Sequence, residues 1–179
     1  MSRPKLILLN GAAGVGKTTI AEHYIAEHPL TLSISRDEII VMIGQWFKHE
    51  TAAKSLTFEL IKSMAITHLR RGHDVLLPYL LTDATRAEAF EKIAKDLNID
   101  YKEILLHTTK EDAVQRLLKR GTWGEAGSTP VTAATRPIIE ALYDTMMRET
   151  NKRPQTIVIE SVYGQTSKTY EAFLAAIES

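Results

Sequence analysis

Two glycines with four residues between them, followed by a lysine and a threonine, form the most constraining pattern in this chain. The segment runs from Gly11 to Thr18 and reads G-A-A-G-V-G-K-T. The apolar residues 6–9 before it predict a buried strand, and residues 18–28 after it predict a helix. In that setting the spacing is typical of a loop whose backbone N–H groups surround phosphates at a helix N-terminus. The pattern therefore predicts a nucleoside triphosphate site.

The loop also assigns roles to individual side chains. Lys17 is expected to reach the outer phosphates, and the Thr18 hydroxyl to hold Mg²⁺. The alternative is a glycine-rich turn between a strand and a helix that binds nothing. The residues expected to contact the nucleotide through this segment are Gly11, Ala13, Gly14, Val15, Gly16, Lys17, Thr18 and Thr19.

The composition excludes several classes of protein. Lys and Arg together number 22, as do Asp and Glu, which argues against a broad polyanion-binding surface. The absence of cysteine excludes disulfides, thiolate metal sites and a cysteine nucleophile, and the six histidines show no metal-ligand spacing. No apolar run is long enough for a membrane span, and the first one leads directly into the loop. We expect one cytoplasmic domain over residues 1–179.

Short apolar runs alternate with longer helical patterns, which is typical of a parallel α/β sheet with helices on both faces. The predicted strands are 5–10, 31–35, 75–77, 101–107 and 156–160. The predicted helices are 18–28, 55–71, 83–97, 110–120, 135–148 and 168–177. Ligands of such sheets bind at the carboxyl ends of the strands.

One long segment lacks any usable periodicity. Residues 121–132 read G-T-W-G-E-A-G-S-T-P-V-T, with three glycines and a proline. A long loop in a compact domain is often an active-site lid, and a plain surface connection is the alternative. We expect a lid over approximately residues 121–134.

Asp37 follows the second predicted strand, whose carboxyl end opens on the same crevice as the loop. A carboxylate there could accept the proton of a substrate hydroxyl that attacks a phosphorus atom. The alternative is that Asp37 caps a helix over residues 38–43. Glu38 is a weaker substitute for the base, and Arg36 could orient the acceptor.

Arg116 and Arg120 lie four apart on one helical pattern, so they share a face. An arginine at the lid's edge could stabilise charge on a transferring phosphoryl group, which favours Arg120. The alternative is that both cations only solvate a helix end. Arg136 and Arg148 are weaker candidates on the lid side. Three aromatic residues, Trp46, Phe47 and Phe58, could line an acceptor pocket but are assigned to the core.

Three segments together resemble the small P-loop kinases: L-I-L-L-N-G-A-A-G-V-G-K-T-T-I-A, S-I-S-R-D-E, and the K-R-G entry to the lid. This group includes shikimate and gluconate kinases, chloramphenicol phosphotransferase, zeta-toxin-like kinases and 5′-hydroxyl polynucleotide kinases. The resemblance implies a five-stranded parallel sheet in the order 2-3-1-4-5, ATP with Mg²⁺, and transfer to a substrate hydroxyl. It places the Walker lysine at Lys17, the metal-binding hydroxyl at Thr18, the base at Asp37 and the lid arginine at Arg120, with Arg116 one turn before.

The sequence departs from this group at the end of the third strand. Members often carry a Walker B aspartate there, whereas D-V-L-L-P-Y-L-L-T-D puts Asp74 at the wrong end and Asp83 late. Pro78 and Tyr79 stand in its place. Magnesium would then be held by Thr18, phosphates and waters, with Asp37 nearby, or turnover would be slow.

The resemblance favours an ATP-dependent kinase that acts on a small hydroxyl-bearing acceptor. Residues 26–38 look most like the polynucleotide-kinase branch, so a 5′-hydroxyl polynucleotide or RNA kinase is an alternative. Arg136-Pro137 and Arg148 resemble the shikimate-kinase lid region instead. A nucleotide-binding regulatory protein with little catalysis is the third possibility. The acceptor, a preference for ATP over GTP and the oligomeric state stay open.

Overall fold

The computed structural model describes residues 3–124 and 126–179. Five parallel strands form one sheet in the order β2-β3-β1-β4-β5, as the resemblance implies. The strands are β1 (Lys5–Gly11), β2 (Leu32–Ser33), β3 (Val75–Tyr79), β4 (Asp100–His107) and β5 (Ile157–Glu160). The helices are α1 (Lys17–Glu27), α2 (Arg36–Ile40), α3 (Glu50–Leu69), α4 (Ala84–Leu97), α5 (Lys110–Arg120), α6 (Arg136–Thr150) and α7 (Thr166–Glu178). The three-layer α/β P-loop fold is therefore confirmed.

Successive side chains of β1 point to opposite faces of the sheet and so contribute to two separate apolar layers. Leu6 and Leu8 pack with α3 and α4 on one face, and Ile7 and Leu9 pack with α1 and α7 on the other. Because both faces are covered, the central strands are apolar throughout, as parallel sheets require. Helices α5 and α6 pack beside the loop that follows β1.

Several element boundaries differ from the sequence prediction. Strand β2 has only two residues, and α3 begins at Glu50 rather than at residue 55. Strand β3 continues through Pro78 to Tyr79, two residues beyond its predicted end. The carbonyls of Asp74 and Leu76 accept hydrogen bonds from the N–H groups of Leu32 and Ile34. Because every second residue of a strand directs its backbone groups to the same side, the nitrogen of Pro78 also points toward β2. Strand β2 has ended there, and the missing N–H costs no ladder bond.

Helix α2 also settles one alternative for Asp37. Ser35 occupies the N-cap position, and Asp37 is the second residue of the helix. The prediction that Asp37 caps a helix over residues 38–43 is therefore wrong. Among the helices described, none combines the length and the apolar character needed to cross a lipid bilayer.

Candidate active site

The loop between β1 and α1 is pressed against strand β4. A Cβ atom on Gly11 would lie 2.8 Å from the Val15 Cγ1 atom and 2.9 Å from the Leu106 carbonyl oxygen. Any side chain at this position would push the loop off the sheet. The first glycine of the motif is therefore required by close packing rather than by a turn.

Asn10, the last residue before the motif glycines, fixes the loop from below. Its side-chain oxygen accepts hydrogen bonds from the backbone N–H groups of Gly11 at 2.8 Å and Leu81 at 2.9 Å. Its amide nitrogen donates to the Thr150 hydroxyl at 3.0 Å. The sequence analysis missed this residue. The available signal was a polar side chain that closes an apolar strand directly before the loop.

Lys17 begins α1 and turns back into the loop. Its ammonium group donates to the carbonyl oxygens of Gly11 at 2.7 Å and Ala12 at 2.9 Å. Burial lowers the pKa of Lys17 from 10.5 to about 8; nearby Asp37 opposes this shift, whereas Arg120 and Arg36 add to it. The lysine is thus held by carbonyl groups that an anionic phosphate could replace.

A cavity of about 310 Å³ opens over this lysine. It is bounded by the loop and the start of α1, the beginning of α2, the end of β3 and the first lid residues. Asp37 lies on this wall, where its Oδ1 atom accepts from Arg36 Nη2 at 3.1 Å and Nε at 3.2 Å. The lining residues are Ala13, Gly14, Gly16, Lys17, Thr18, Thr19, Ser35, Arg36, Asp37, Pro78, Tyr79, Leu80, Arg120 and Trp123. The structure therefore brings Lys17, Asp37 and Arg120 together.

The segment expected to form a lid contributes Trp123 to the wall of this cavity. Its base is closed by a hydrogen bond from the Val131 N–H to the Gly121 carbonyl at 3.0 Å. Arg120 donates to the Trp123 carbonyl at 2.6 Å. A Cβ on Gly124 would lie 2.2 Å from Arg120 Nη2 and 3.8 Å from Asp37 Oδ2, so the backbone of this segment lies close to both groups. Within residues 121–134, Glu125 lies outside the described residues.

The aromatic residues after α2 do not all join the core. Phe47 is 58% exposed, and a Cβ on Gly127 would approach its ring to 3.9 Å. The assignment of Phe47 to the core is wrong, because the single 3₁₀ turn at Trp46–Lys48 carries it outward toward the lid. Trp46 is only half-buried, and Phe58 packs at the edge of the core.

Arg116 lines a second cavity, of about 160 Å³, which shares Gly14, Gly16 and Thr19 with the first. Its guanidinium donates to the Ser161 carbonyl at 2.9 Å and lies 5.6 Å from the centre of the Tyr163 ring. The Ser161 hydroxyl donates to the Val15 carbonyl at 2.8 Å, which ties the segment after β5 to the loop.

The two arginines of α5 therefore face different cavities, although they lie four residues apart. The sequence analysis missed Ser161 and Tyr163. They follow the last strand and so lie at the carboxyl edge of the sheet, which was the signal that could have found them.

As expected, β3 ends in Pro78 and Tyr79 rather than in an aspartate. Pro78 and Tyr79 line the cavity, whereas Asp74 bonds the Lys5 N–H and the Tyr24 hydroxyl at the other end of the strand. Asp83 caps α4 by accepting from the Thr85 N–H at 3.0 Å. Among the described residues, no cluster of three or more acidic or histidine side chains could hold a metal. Thr18 lines the cavity, and its hydroxyl fits the role of a single protein ligand to Mg²⁺, which usually keeps waters and substrate phosphates as its other ligands.

The two weaker arginine candidates lie outside both cavities. Arg136 pairs with Glu111 and, at 2.7 Å, with Glu140. Arg148 donates to Glu149 at 3.3 Å. Neither residue is among those that line the cavities beside the loop.

Known structures share this fold at low sequence identity. A chain of the Pnkp1/Rnl/Hen1 RNA repair complex superposes with a TM-score of 0.67 and 17% identity, and covers 87% of this chain. This chain covers 48% of that one, about half of its length. A gluconokinase from Sinorhizobium meliloti 1021 gives 0.64 and 13% identity, covering 99% of this chain and 95% of its own. A tunicamycin resistance protein from Deinococcus radiodurans gives 0.64 and 18%, with coverage of 98% and 96%.

No curated protein sequence matches the chain significantly. The family model AAA_33, described as an AAA domain, matches residues 6–143 and so takes in the phosphate loop, Asp37, both arginines of α5 and the lid. The chain therefore belongs to the AAA_33 family, and with it to the small P-loop kinases that its sequence resembles.

Proposed function

We propose that this chain is an ATP-dependent phosphotransferase that moves the γ-phosphoryl group of Mg-ATP to a hydroxyl group of a small-molecule acceptor. One observation carries the proposal. The Asp37 carboxylate, the Lys17 ammonium and the Arg120 guanidinium line one cavity beside a loop built to hold phosphates. Phosphoryl transfer to a hydroxyl requires a base, an anion-binding lysine and a further cation that stabilises the transferring oxygens.

The loop and the N-terminus of α1 hold the polyphosphate through backbone N–H groups. Lys17 exchanges the Gly11 and Ala12 carbonyls for phosphate oxygens, which are better partners for a cation. Arg116 and Tyr163 offer a flat cation and an aromatic ring for the nucleobase in the second cavity. When bound beside Thr18, Mg²⁺ neutralises phosphate charge.

Asp37 holds the acceptor hydroxyl and takes its proton as the oxygen bonds to the γ-phosphorus. The bond between that phosphorus and the bridging oxygen breaks, and ADP leaves with the electron pair. Arg120 donates to the transferring oxygens, for which it exchanges the Trp123 carbonyl. The closed lid excludes water, which would otherwise compete as the acceptor.

The test is Asp37→Asn, assayed with Mg-ATP labelled on the γ-phosphate and a panel of hydroxyl-bearing acceptors. We expect transfer to fall by about 10²- to 10⁴-fold, the usual contribution of a general base, with nucleotide affinity almost unchanged. Asp96→Asn is the control, because Asp96 pairs with Lys92 on the exposed face of α4. Unchanged transfer in Asp37→Asn would remove Asp37 from the mechanism.

Two other outcomes would favour the alternatives. Labelling of a 5′-hydroxyl oligonucleotide in preference to every small acceptor, weakening as salt rises, would favour a polynucleotide kinase. Tight nucleotide binding without any labelled product would favour a regulatory nucleotide-binding protein.

A further inference from the structure

Arg86, in the first turn of α4, is a half-buried cation that the phosphate site does not use. Its Nη1 atom donates to the Tyr79 hydroxyl at 2.7 Å, and its guanidinium lies 5.0 Å from the centre of the Phe58 ring. Among the described residues, no carboxylate pairs with it, and its other N–H groups have no acceptor. These donors are available to an anionic ligand, which would form charge-assisted hydrogen bonds with them.

Tyr79 connects this cation to the cavity. The residue is only 3% exposed, and it lines the cavity above Lys17. Its oxygen accepts from Arg86, and no described residue accepts the proton of its own hydroxyl. Tyr79 is therefore a nearly buried residue of the cavity wall, and through its hydroxyl it contacts Arg86, which is not itself among the residues that line the cavity.

The surrounding charges point the same way. Lys62 lies 4.9 Å from the same Phe58 ring, so two cations share one aromatic side chain, and only Lys62 has an acidic partner, Glu59 at 2.8 Å. On the cavity wall Arg36 is bonded to Asp37. In the proposed complex Lys17 and Arg120 face the nucleotide, and Arg86, which contacts the cavity wall through Tyr79, can balance a negative charge on the acceptor.

We propose that Tyr79 and Arg86 form an anion subsite, and that the acceptor is a small hydroxyl compound carrying a carboxylate or a phosphate ester. This inference rests on the proposed function, because it names the acceptor class for the same cavity. The anion binds to the guanidinium and to the Tyr79 hydroxyl, and this contact aims the reacting hydroxyl at Asp37. A carboxylate and a phosphate ester could both bind in this way, and the experiment below distinguishes between them.

The experiment measures binding without turnover. The chain has two tryptophans, so a Trp46→Phe background leaves Trp123, on the cavity wall, as the fluorescent reporter. Mg²⁺ and a non-hydrolysable ATP analogue fill the phosphate loop, which keeps added anions out of it. The probes are sorbitol, gluconate and sorbitol 6-phosphate, which share a six-carbon polyol chain and differ in charge.

We expect gluconate or sorbitol 6-phosphate to bind more tightly than sorbitol, and the better of the two identifies the anion as carboxylate or phosphate. Arg86→Met should weaken that anion's binding by about ten- to a hundredfold, the loss of one charge-assisted hydrogen-bonded contact. Sorbitol binding should change by less than about twofold, because it lacks the charge. Tyr79→Phe, which keeps the buried ring, should weaken anion binding by a smaller factor. Arg71→Met, at an exposed arginine after α3, is the matched control and should change nothing.

Several results would overturn the subsite. These are equal binding of sorbitol and the anions, no anion binding at tens of millimolar, or anion affinity that Arg86→Met leaves intact. Arg86-dependent binding of a 5′-hydroxyl oligonucleotide alone would overturn the small-molecule class. Because no step needs phosphoryl transfer, Arg86-dependent anion binding can hold while the labelling assay fails, and the two proposals fail separately.

Discussion

The partly buried ammonium group of Lys17 makes nucleotide affinity depend on pH. In the free protein its pKa is about 8, lowered by burial and held up only partly by Asp37. Two further cations, Arg120 and Arg36, face it and lower the pKa as well. A bound polyphosphate adds opposite charge, so we expect the pKa to return to at least its ordinary value of 10.5. Nucleotide binding above pH 8 must then take up a proton.

The size of the effect follows from that shift. At pH 9 about one lysine in eleven is protonated in the free protein, whereas nearly all are protonated at pH 7. The dissociation constant should therefore rise about tenfold between pH 7 and pH 9, a loss of about 1.4 kcal/mol. Proton uptake should grow over the same interval from about 0.1 to about 0.9 per bound nucleotide.

Isothermal titration calorimetry with a non-hydrolysable ATP analogue, in two buffers of different ionisation enthalpy, measures both quantities. Lys17→Arg is the control, because a guanidinium stays charged throughout and its affinity should be flat with pH. A wild-type dissociation constant that changes less than twofold over the range, or an equal slope in Lys17→Arg, would refute the reasoning.

The same shift has a consequence for stability. Folding lowers this pKa, so the unfolded chain binds the proton more tightly between pH 8 and pH 10.5. The free energy of unfolding of the nucleotide-free protein should rise over that interval, and the charge costs the fold most below pH 8. Lys17→Met should therefore be more stable than wild type at pH 7, by up to about 3 kcal/mol in urea unfolding. The gain should vanish above pH 10.5.

Two further perturbations test the lid and the core. Gly124→Ala places a methyl group 2.2 Å from Arg120 Nη2 and should reduce phosphoryl transfer at least about tenfold while sparing nucleotide affinity. Gly127→Ala is the control, because Gly127 also has a positive φ but a Cβ there would meet no atom closer than 3.9 Å. Equal kinetics in the two variants would contradict the proposed clash with Arg120. Arg153→Met leaves Glu103, whose side chain is 1% exposed, without its 2.8 Å ion pair and should cost about 3–5 kcal/mol in urea unfolding. The double change Glu103→Leu with Arg153→Met should recover most of that loss, and no recovery would mean that packing rather than unpaired charge sets the cost.

The sheet and its order could be predicted because their causes are local. Apolar runs of strand length alternate with helical patterns, and a phosphate loop at the first turn indicates the family and its strand order. The end of β3 could not be predicted from the proline alone. Whether Pro78 ends the strand depends on where β2 stops, which is a property of the neighbouring strand.

The candidate site likewise contains residues that the sequence could indicate and residues that it could not. That Lys17, Asp37 and Arg120 line one cavity could be expected, because each lies at a recognisable position in the sequence: in the loop, after a strand, and directly before the glycine-rich segment. Tyr79 and Arg86 were not paired, because their contact joins the end of a strand to a helix that begins five residues later. A sequence pattern indicates where a chain segment ends, but not which side chain of the next segment it meets.

Through Asn10, the phosphate loop depends on contacts with distant parts of the chain, which the sequence of the loop does not show. Its three hydrogen bonds join β1 to a backbone group 71 residues away and to a hydroxyl 140 residues away. The residue that holds the loop from below is therefore itself held by the segment after β3 and by the end of α6. An isolated N-terminal fragment that contains the whole G-A-A-G-V-G-K-T segment would lack two of the three contacts that hold it. We therefore expect nucleotide binding to require the fold as far as α6 and not the loop segment alone.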